Sequence, residues 1–168
     1  IEKLKAALTP RSKVFVAAHL FGTRLDLSEC FSLTRAKGLL NVEDCAQAHG
    51  AEYMGTPVGG LGDAAAWSFC QDKIMSTGGE GGAVTTSDEE LWSKVWSLKD
   101  HGKSFDAVYN RQHAPGFRWL HETIGSNWRM LEMQGAIARI QLRRMPQWAA
   151  ARRQNAERLQ AAWGDLPA

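Results

Sequence analysis

The stretch from Lys13 to Gly50 constrains this chain more than any other. KVFVAAHLFG is a short apolar run that ends in Gly22. DLSECFSLTRAKG follows with apolar residues at helical spacing, Asp26 or Ser28 available as its cap and Gly38 as its stop. LLNVEDCAQAHG is a second apolar run that turns polar at its C-terminal end. Strand, helix, strand with connections this short is the parallel crossover unit of an α/β sheet, whose ligands collect beyond the carboxyl ends of the strands. Asp44 and Gln47 stand at such an end.

The remainder extends the same pattern. AEYMGTPVGGLGD is rich in turn residues and predicts a small surface excursion. AAAWSFC is a third, wholly apolar strand with Lys73 just past its end, and GGAVTTSD is a fourth. Ser87 or Asp88 caps the helix DEELWSKVWSLKDHG, whose first turn carries the acids that a helix dipole favours. Ser104 to Thr123 is aromatic, basic and irregular, and predicts a long loop. RMLEMQGAIARIQLRRMPQWAAARRQNAERLQAAW is helical in pattern, with Pro146 expected to kink it or split it in two. The fold class is therefore α/β: a mostly parallel sheet flanked by helices, with a long kinked C-terminal helix.

A chain of 168 residues supports one domain with a real core. With 44% apolar and 23% charged residues it is neither disordered nor membrane-embedded in composition, and no apolar run reaches the roughly 20 residues of a spanning helix. A formal charge of +2 gives no argument for nucleic acid, and the arginines between Arg143 and Arg158 read as a solvated helix face. Cys30, Cys45 and Cys70 are odd in number and widely spaced, as reduced, mostly buried thiols are. The first residues lack the apolar core of a signal peptide, so a cytoplasmic location is expected.

Several chemistries drop out on inspection. SLKDHGKS ends like a phosphate-binding loop but has Ser97 in place of the first glycine and follows a helix; HETIG lacks the second histidine of a zinc protease. The five histidines have no metal-ligand spacing with the cysteines, so no metal is expected. What remains is Asp44, Gln47, Ser68 and Lys73, gathered at the ends of two successive strands. Taken singly, Asp44 can cap a helix, Ser68 can be a strand hydroxyl and Lys73 can extend to solvent. Together they meet the needs of pyridoxal 5'-phosphate: Lys73 an amine for its aldehyde, Asp44 a carboxylate for the ring nitrogen, Gln47 a hydrogen bond to the phenolic oxygen and Ser68 a phosphate contact. Glycines 78, 79, 81 and 82 are expected to let the backbone pass close to that group.

The segment VEDCAQAHGAEYMGTPVGGLGDAAAWSFCQDKIMSTGGEGGAVTTSDEELWSKVWSLKDHG closely resembles the lysine-bearing region of the DegT-type (DegT/DnrJ/StrS) sugar aminotransferases, fold-type-I pyridoxal phosphate enzymes. IGSNWRMLEMQGAIARIQLRRM resembles the same family's later motif and helix, and AAHLFG its preceding strand and turn. The resemblance implies that Lys73 is the catalytic lysine. It implies that Asp44, Gln47 and Ser68 bind the cofactor, and that Asn127 reaches the phosphate from the neighbouring subunit of a homodimer with shared sites. It also implies transamination of a nucleotide-linked keto sugar, with an amino-acid donor such as glutamate. Relatives that dehydrate instead carry histidine at the lysine position. His49 either fixes the local turn or handles substrate.

Family members are much longer, so the chain is expected to be an internal fragment. Residues 1–145 then belong to a partial large cofactor-binding domain, and residues 146–168 to a helix leading toward a small C-terminal domain. The alternative function is a non-catalytic α/β segment that keeps the site residues without turning over.

Overall fold

The β-branched and aromatic run VFVAA forms β1 (Val14–Ala18), and the alternating LNVED forms β2 (Leu40–Asp44). In the computed structural model, which describes residues 1–22 and 27–164, these strands pair in parallel with Val14 opposite Leu40 and Ala18 opposite Asp44. Strand β5 (Ala64–Ser68) pairs in parallel with β2, placing Ala66 beside Asp44, and β6 (Gly82–Thr85) runs antiparallel to β5. The sheet order is β1-β2-β5-β6, three parallel strands and one antiparallel edge. The turn-rich excursion closes as a hairpin of β3 (Glu52–Tyr53) and β4 (Thr56–Pro57). A short helix, α1 (Glu2–Ala7), precedes the sheet.

Between β1 and β2 lies α2 (Ser28–Ala36). Asp26 lies outside the described residues. Ser28 is not the cap that its position suggested: it is the first helical residue, after Leu27, and its hydroxyl meets the Tyr53 hydroxyl at 2.5 Å instead. Gly38 does stop the helix, at φ +72°, with its N–H donating to the Arg35 carbonyl at 2.9 Å. Asp88 caps α3 (Glu89–Lys99), accepting from the Glu90 and Leu91 N–H groups at 2.8 and 2.9 Å.

The two faces of the sheet differ. Ala17, Asn41, Glu43 and Ala65 are buried under α2, the hairpin and the segment that follows it. Val16, Leu40 and Val84, on the opposite face, are 61%, 55% and 50% exposed. Small apolar clusters back the covered face: Ala17, Leu27 and Phe31 on one side, Cys45, Ala48, Val58 and Ala65 at the centre, and Phe69, Met75 and Met145 where the last helix crosses.

Two expectations about the second half need correction. The segment after Ser104 is not all loop: α4 (Phe105–Tyr109) forms there because the Ser104 hydroxyl accepts from the Ala107 N–H, and Phe105 packs on Trp92 and Trp96. Nor does Pro146 split the last helix, for α5 runs from Glu132 to Trp163 without a break. One missing N–H removes a single helical bond, and the residues on both sides, rich in Ala, Arg and Gln, are strong helix formers. The helix is also tied to the loop after β5, where Gln141 accepts from the Ser76 N–H and Gln134 donates to the Glu80 carbonyl, both at 2.7 Å. The boundary expected at residue 146 lies inside α5.

The segments holding Asp100 and Asn127 meet through backbone contact that only glycine allows. Gly102 has φ +74°, and a Cβ there would lie 1.7 Å from the Thr123 carbonyl oxygen. Gly102→Ala is therefore expected to destabilise the chain by about 3 kcal/mol, read as a lower urea midpoint at unchanged slope. A midpoint matching the parent would show that the two segments do not pack this way.

Candidate active site at the strand ends

Strand alternation gives the adjacent carboxylates Glu43 and Asp44 opposite faces. Asp44 stands on the open face, two positions out of step with Ser68 along the neighbouring strand. Its Oδ1 accepts from the Ala46 N–H at 3.0 Å, which turns the chain away from the sheet. That turn carries Gln47, whose Oε1 accepts from the Phe21 N–H at 2.8 Å. The amide oxygen is thereby fixed, and Nε2, which has no partner among the described residues, is the end offered outward. Ser68 Oγ accepts from the Cys70 N–H at 3.3 Å, leaving its own hydrogen to donate.

Lys73 follows in a tight turn, its N–H donating to the Cys70 carbonyl at 3.0 Å. Its side chain is 19% exposed, and Nζ lies 3.6 Å from Asp72 Oδ1. The Cys70 thiol, and then the Lys73 charge, hold the Asp72 carboxyl below its usual range. Lys73 and Gln47 line one small cavity of about 170 Å³, together with Ala46, His49, Asp72 and Ile74. Asp44 and Ser68 adjoin each other at the strand ends but are not in its lining. Asn127 stands apart, exposed, bridged to Asp100 and accepting from Arg129 Nε at 3.1 Å.

The glycines after Lys73 also have a reason within the fold itself. A Cβ on Gly81 would lie 2.3 Å from Thr77 Oγ1, and one on Gly82 would lie 2.7 Å from the Trp67 carbonyl oxygen. Gly78 has φ +77° against Ile137. Three of the four serve the loop's packing on its own protein; only Gly79 faces open space.

His49 forms the wall between this cavity and an apolar one of about 650 Å³ bounded by the hairpin, β5, β6 and α5. Its ring packs on Trp67 and Phe69 at 5.5 and 6.1 Å, and among the described residues neither buried ring nitrogen makes a well-formed hydrogen bond. Burial pushes the imidazole below its usual range and the Lys73 charge pushes the same way, against an opposing effect of the Ser68 backbone.

Behind the strand ends lies a group that the residue types did not announce. Glu43 is fully buried, yet both its oxygens are saturated: Oε2 accepts from His19 Nε2 at 3.0 Å and Gly59 N–H at 2.9 Å, Oε1 from the Leu61 and Gly62 N–H groups at 2.8 Å. Burial alone would raise this carboxyl, but the Gly59, Gly62, His19 and Leu61 bonds together hold it below its usual range. Cys45 lies close enough for the three side chains to resemble a metal site. The chemistry is unsuited to one, since the carboxylate has no lone pair to spare and burial, with the Glu43 and Asp44 charges, pushes the thiol up to about 12. The sequence signal was present: Asn41 and Glu43 occupy the inward positions of a central strand.

The family model of the DegT/DnrJ/EryC1/StrS aminotransferases matches residues 1–168. GDP-perosamine synthase of Caulobacter vibrioides is 39% identical over 150 residues, which are 89% of this chain and 38% of that protein. An aminotransferase from Psychrobacter cryohalolentis of known structure superposes with a TM-score of 0.94 at 55% identity, over 97% of this chain and 41% of that one. GDP-4-keto-6-deoxy-D-mannose-3-dehydratase of E. coli, solved with bound hydrated PLP, superposes with a TM-score of 0.79 at 27% identity, over 99% of this chain and 44% of that one. The chain thus spans about two fifths of the length of these proteins.

Because the folded imidazole of His49 titrates below its unfolded value, the unfolded state takes up its proton first as pH falls. Its contribution to stability is complete above the unfolded pKa of about 6.5 and is lost on acidification through it. Glu43 acts lower, losing its contribution as pH falls from its unfolded value of 4.5 through its lowered folded one. His49→Leu is expected to flatten the dependence of the urea midpoint between about pH 7 and about pH 5. An equally steep dependence in the variant would assign the acid lability elsewhere.

Proposed function

We propose, from the premise that this chain belongs to the DegT/DnrJ/EryC1/StrS aminotransferase family, that it carries the cofactor-binding strand ends of a pyridoxal phosphate-dependent sugar aminotransferase. The observation that carries the proposal is one small cavity beyond the ends of parallel strands whose lining includes both Lys73 and Gln47. The donor set suits the group. An amine, an amide nitrogen with no partner among the described residues, a hydroxyl with a hydrogen to give and a carboxylate on the neighbouring strand match an aldehyde, a phenolic oxygen, a phosphate and a ring nitrogen in turn.

Bound there, pyridoxal phosphate would supply a carbonyl that condenses with amines and a ring that draws electrons from the Cα of an amino acid. Asp44 holds a proton on the ring nitrogen, using the oxygen that the Ala46 N–H leaves open. Gln47 donates through Nε2, because Oε1 is committed to Phe21. Ser68 donates its hydroxyl hydrogen to a phosphate oxygen. With the group bound, Lys73 Nζ would serve as the base and then the acid that moves a proton, and Asp72, 3.6 Å away, would pair with its ammonium form. His49 and Ile74 form part of the wall beside it.

Lysine at position 73 favours transamination over the dehydration named for the E. coli neighbour. The acceptor we infer is a keto sugar linked to a nucleotide, as the name of the Caulobacter relative suggests, with glutamate as donor. The donor's C–N bond becomes a carbonyl and the sugar's carbonyl becomes a C–N bond. Asn127 is exposed, away from the Lys73 cavity and beside exposed Ile124, Trp128 and Leu131, which suits a role in the site of a second copy within a homodimer. Residues 1–145 are read as part of the cofactor-binding domain, with the following helix leading to a further one.

Pyridoxal phosphate added to the chain is expected to give a visible absorption band, and borohydride to fix one pyridoxyl group on the peptide containing Lys73. Lys73→Ala should show neither. Absence of the band in the parent would instead assign the chain as a segment that keeps the residues without binding.

A further inference from the structure

Gln47 can orient only because Phe21 presents its N–H, and Phe21 occupies a backbone conformation it would not choose. It sits in a 3-10 turn (Leu20–Gly22) at φ +56° and ψ +26°, the left-handed region that costs a non-glycine residue on the order of 1 kcal/mol, with its side chain 83% exposed. Its own side chain therefore contributes little packing to hold it there. What adjoins it is His19, two residues earlier and 1% exposed. The His19 N–H donates to the Asp44 carbonyl at 3.0 Å, and its ring donates to Glu43. A carboxylate only accepts, so Nε2 carries the hydrogen; Nδ1 is buried without a partner among the described residues, which a neutral ring tolerates better than an imidazolium.

We infer that the buried His19–Glu43 couple is a positioning device: it anchors the strained Phe21 turn, so that the Phe21 N–H captures Gln47 Oε1 and the amide nitrogen of Gln47 faces the ligand. This rests on the reading of Gln47 as a cofactor residue. Glu43 serves as a node with two arms. Its three backbone bonds to Gly59, Leu61 and Gly62 fix the segment after the hairpin, and the His19 bond alone reaches toward the site. Neither residue touches the ligand. The effect is on which end of an amide is presented, and hence on whether the site takes an acceptor oxygen or a donor.

The arms separate experimentally, because His19 can be changed with the three backbone bonds left in place. Amide hydrogen exchange of the chain without cofactor, followed by NMR, is expected to show Phe21 protected in the parent. Protection should fall roughly tenfold or more in His19→Leu, while the amides of Trp96 and Leu98 in α3 are unchanged. His19→Gln, whose side-chain amide can still donate to Glu43, should restore it. In parallel, the parent should bind pyridoxal phosphate more tightly than the analogue lacking the phenolic hydroxyl, and His19→Leu should lose that preference.

Equal Phe21 protection in His19→Leu and the parent overturns the inference, as does a variant that loses protection while keeping the preference. If His19→Leu lowers protection across α3 as well, restoration by His19→Gln of global but not Phe21 protection also overturns it. Should the parent bind neither compound while Phe21 exchange still responds to His19, the positioning couple stands and the cofactor reading falls.

Discussion

A carboxylate shut away from water survives only if every lone pair is met, and at Glu43 four N–H donors meet them. The rest of the strand-end geometry depends on this. Three donors come from the backbone after the β3–β4 hairpin and one from the end of β1, so a single side chain on β2 ties together segments that the sheet's own ladder does not join. Removing one partner would leave a lone pair of the buried carboxylate unmet, which costs more than the bond itself contributes. The three backbone bonds hold the carboxylate and the His19 bond completes its set, which keeps separations fixed beside the site.

How much of this the amino-acid pattern disclosed can be judged residue by residue. The parallel unit was legible because β1 and β2 begin as short apolar runs on either side of a helical pattern and Gly38 had a backbone reason to stop α2. The α3 cap was legible because Asp88 and the acids after it act locally. Ser28 misled because a cap depends on the dihedral angles of one residue, and Leu27 took the position without offering a side chain. The glycines after Lys73 signal close approach, but not to what; within the chain the neighbours of Gly81 and Gly82 are Thr77 and Trp67. For the site, local pattern put Gln47 and Lys73 near one strand end, and the structure puts both in one cavity. The Phe21 contact that fixes the Gln47 amide spans 26 residues and leaves no periodic trace.

The long last helix shows how tertiary ties override a local breaker. Pro146 forfeits one backbone bond in the lining of the apolar cavity, where Leu142, Met145 and Ala149 face the hairpin. Gly50, at φ +78°, lets the turn after β2 come against it: a Cβ there would lie 3.3 Å from Ala149. The same turn carries Gln47 and His49. A displacement of α5 would thus be felt in the wall of the Lys73 cavity through His49, whose ring packs on Trp67 and Phe69.

Glu43 and Asp44 are neighbours of the same charge with opposite tasks, and strand alternation is what separates them. The inward residue is saturated by the fold, so it cannot serve a ligand. The outward one spends a single oxygen on the Ala46 N–H and keeps the rest of its bonding capacity. A slip of one residue in β2 would exchange them, putting the less-bonded carboxylate in the interior and the fold's anchor in the open. Register is therefore fixed here by charge burial as much as by apolar contact, because the slipped arrangement strands two carboxylates at once. The same constraint explains why the chemistry gathers on the open face. On the covered face the carboxylate of Glu43 is already committed to holding the structure.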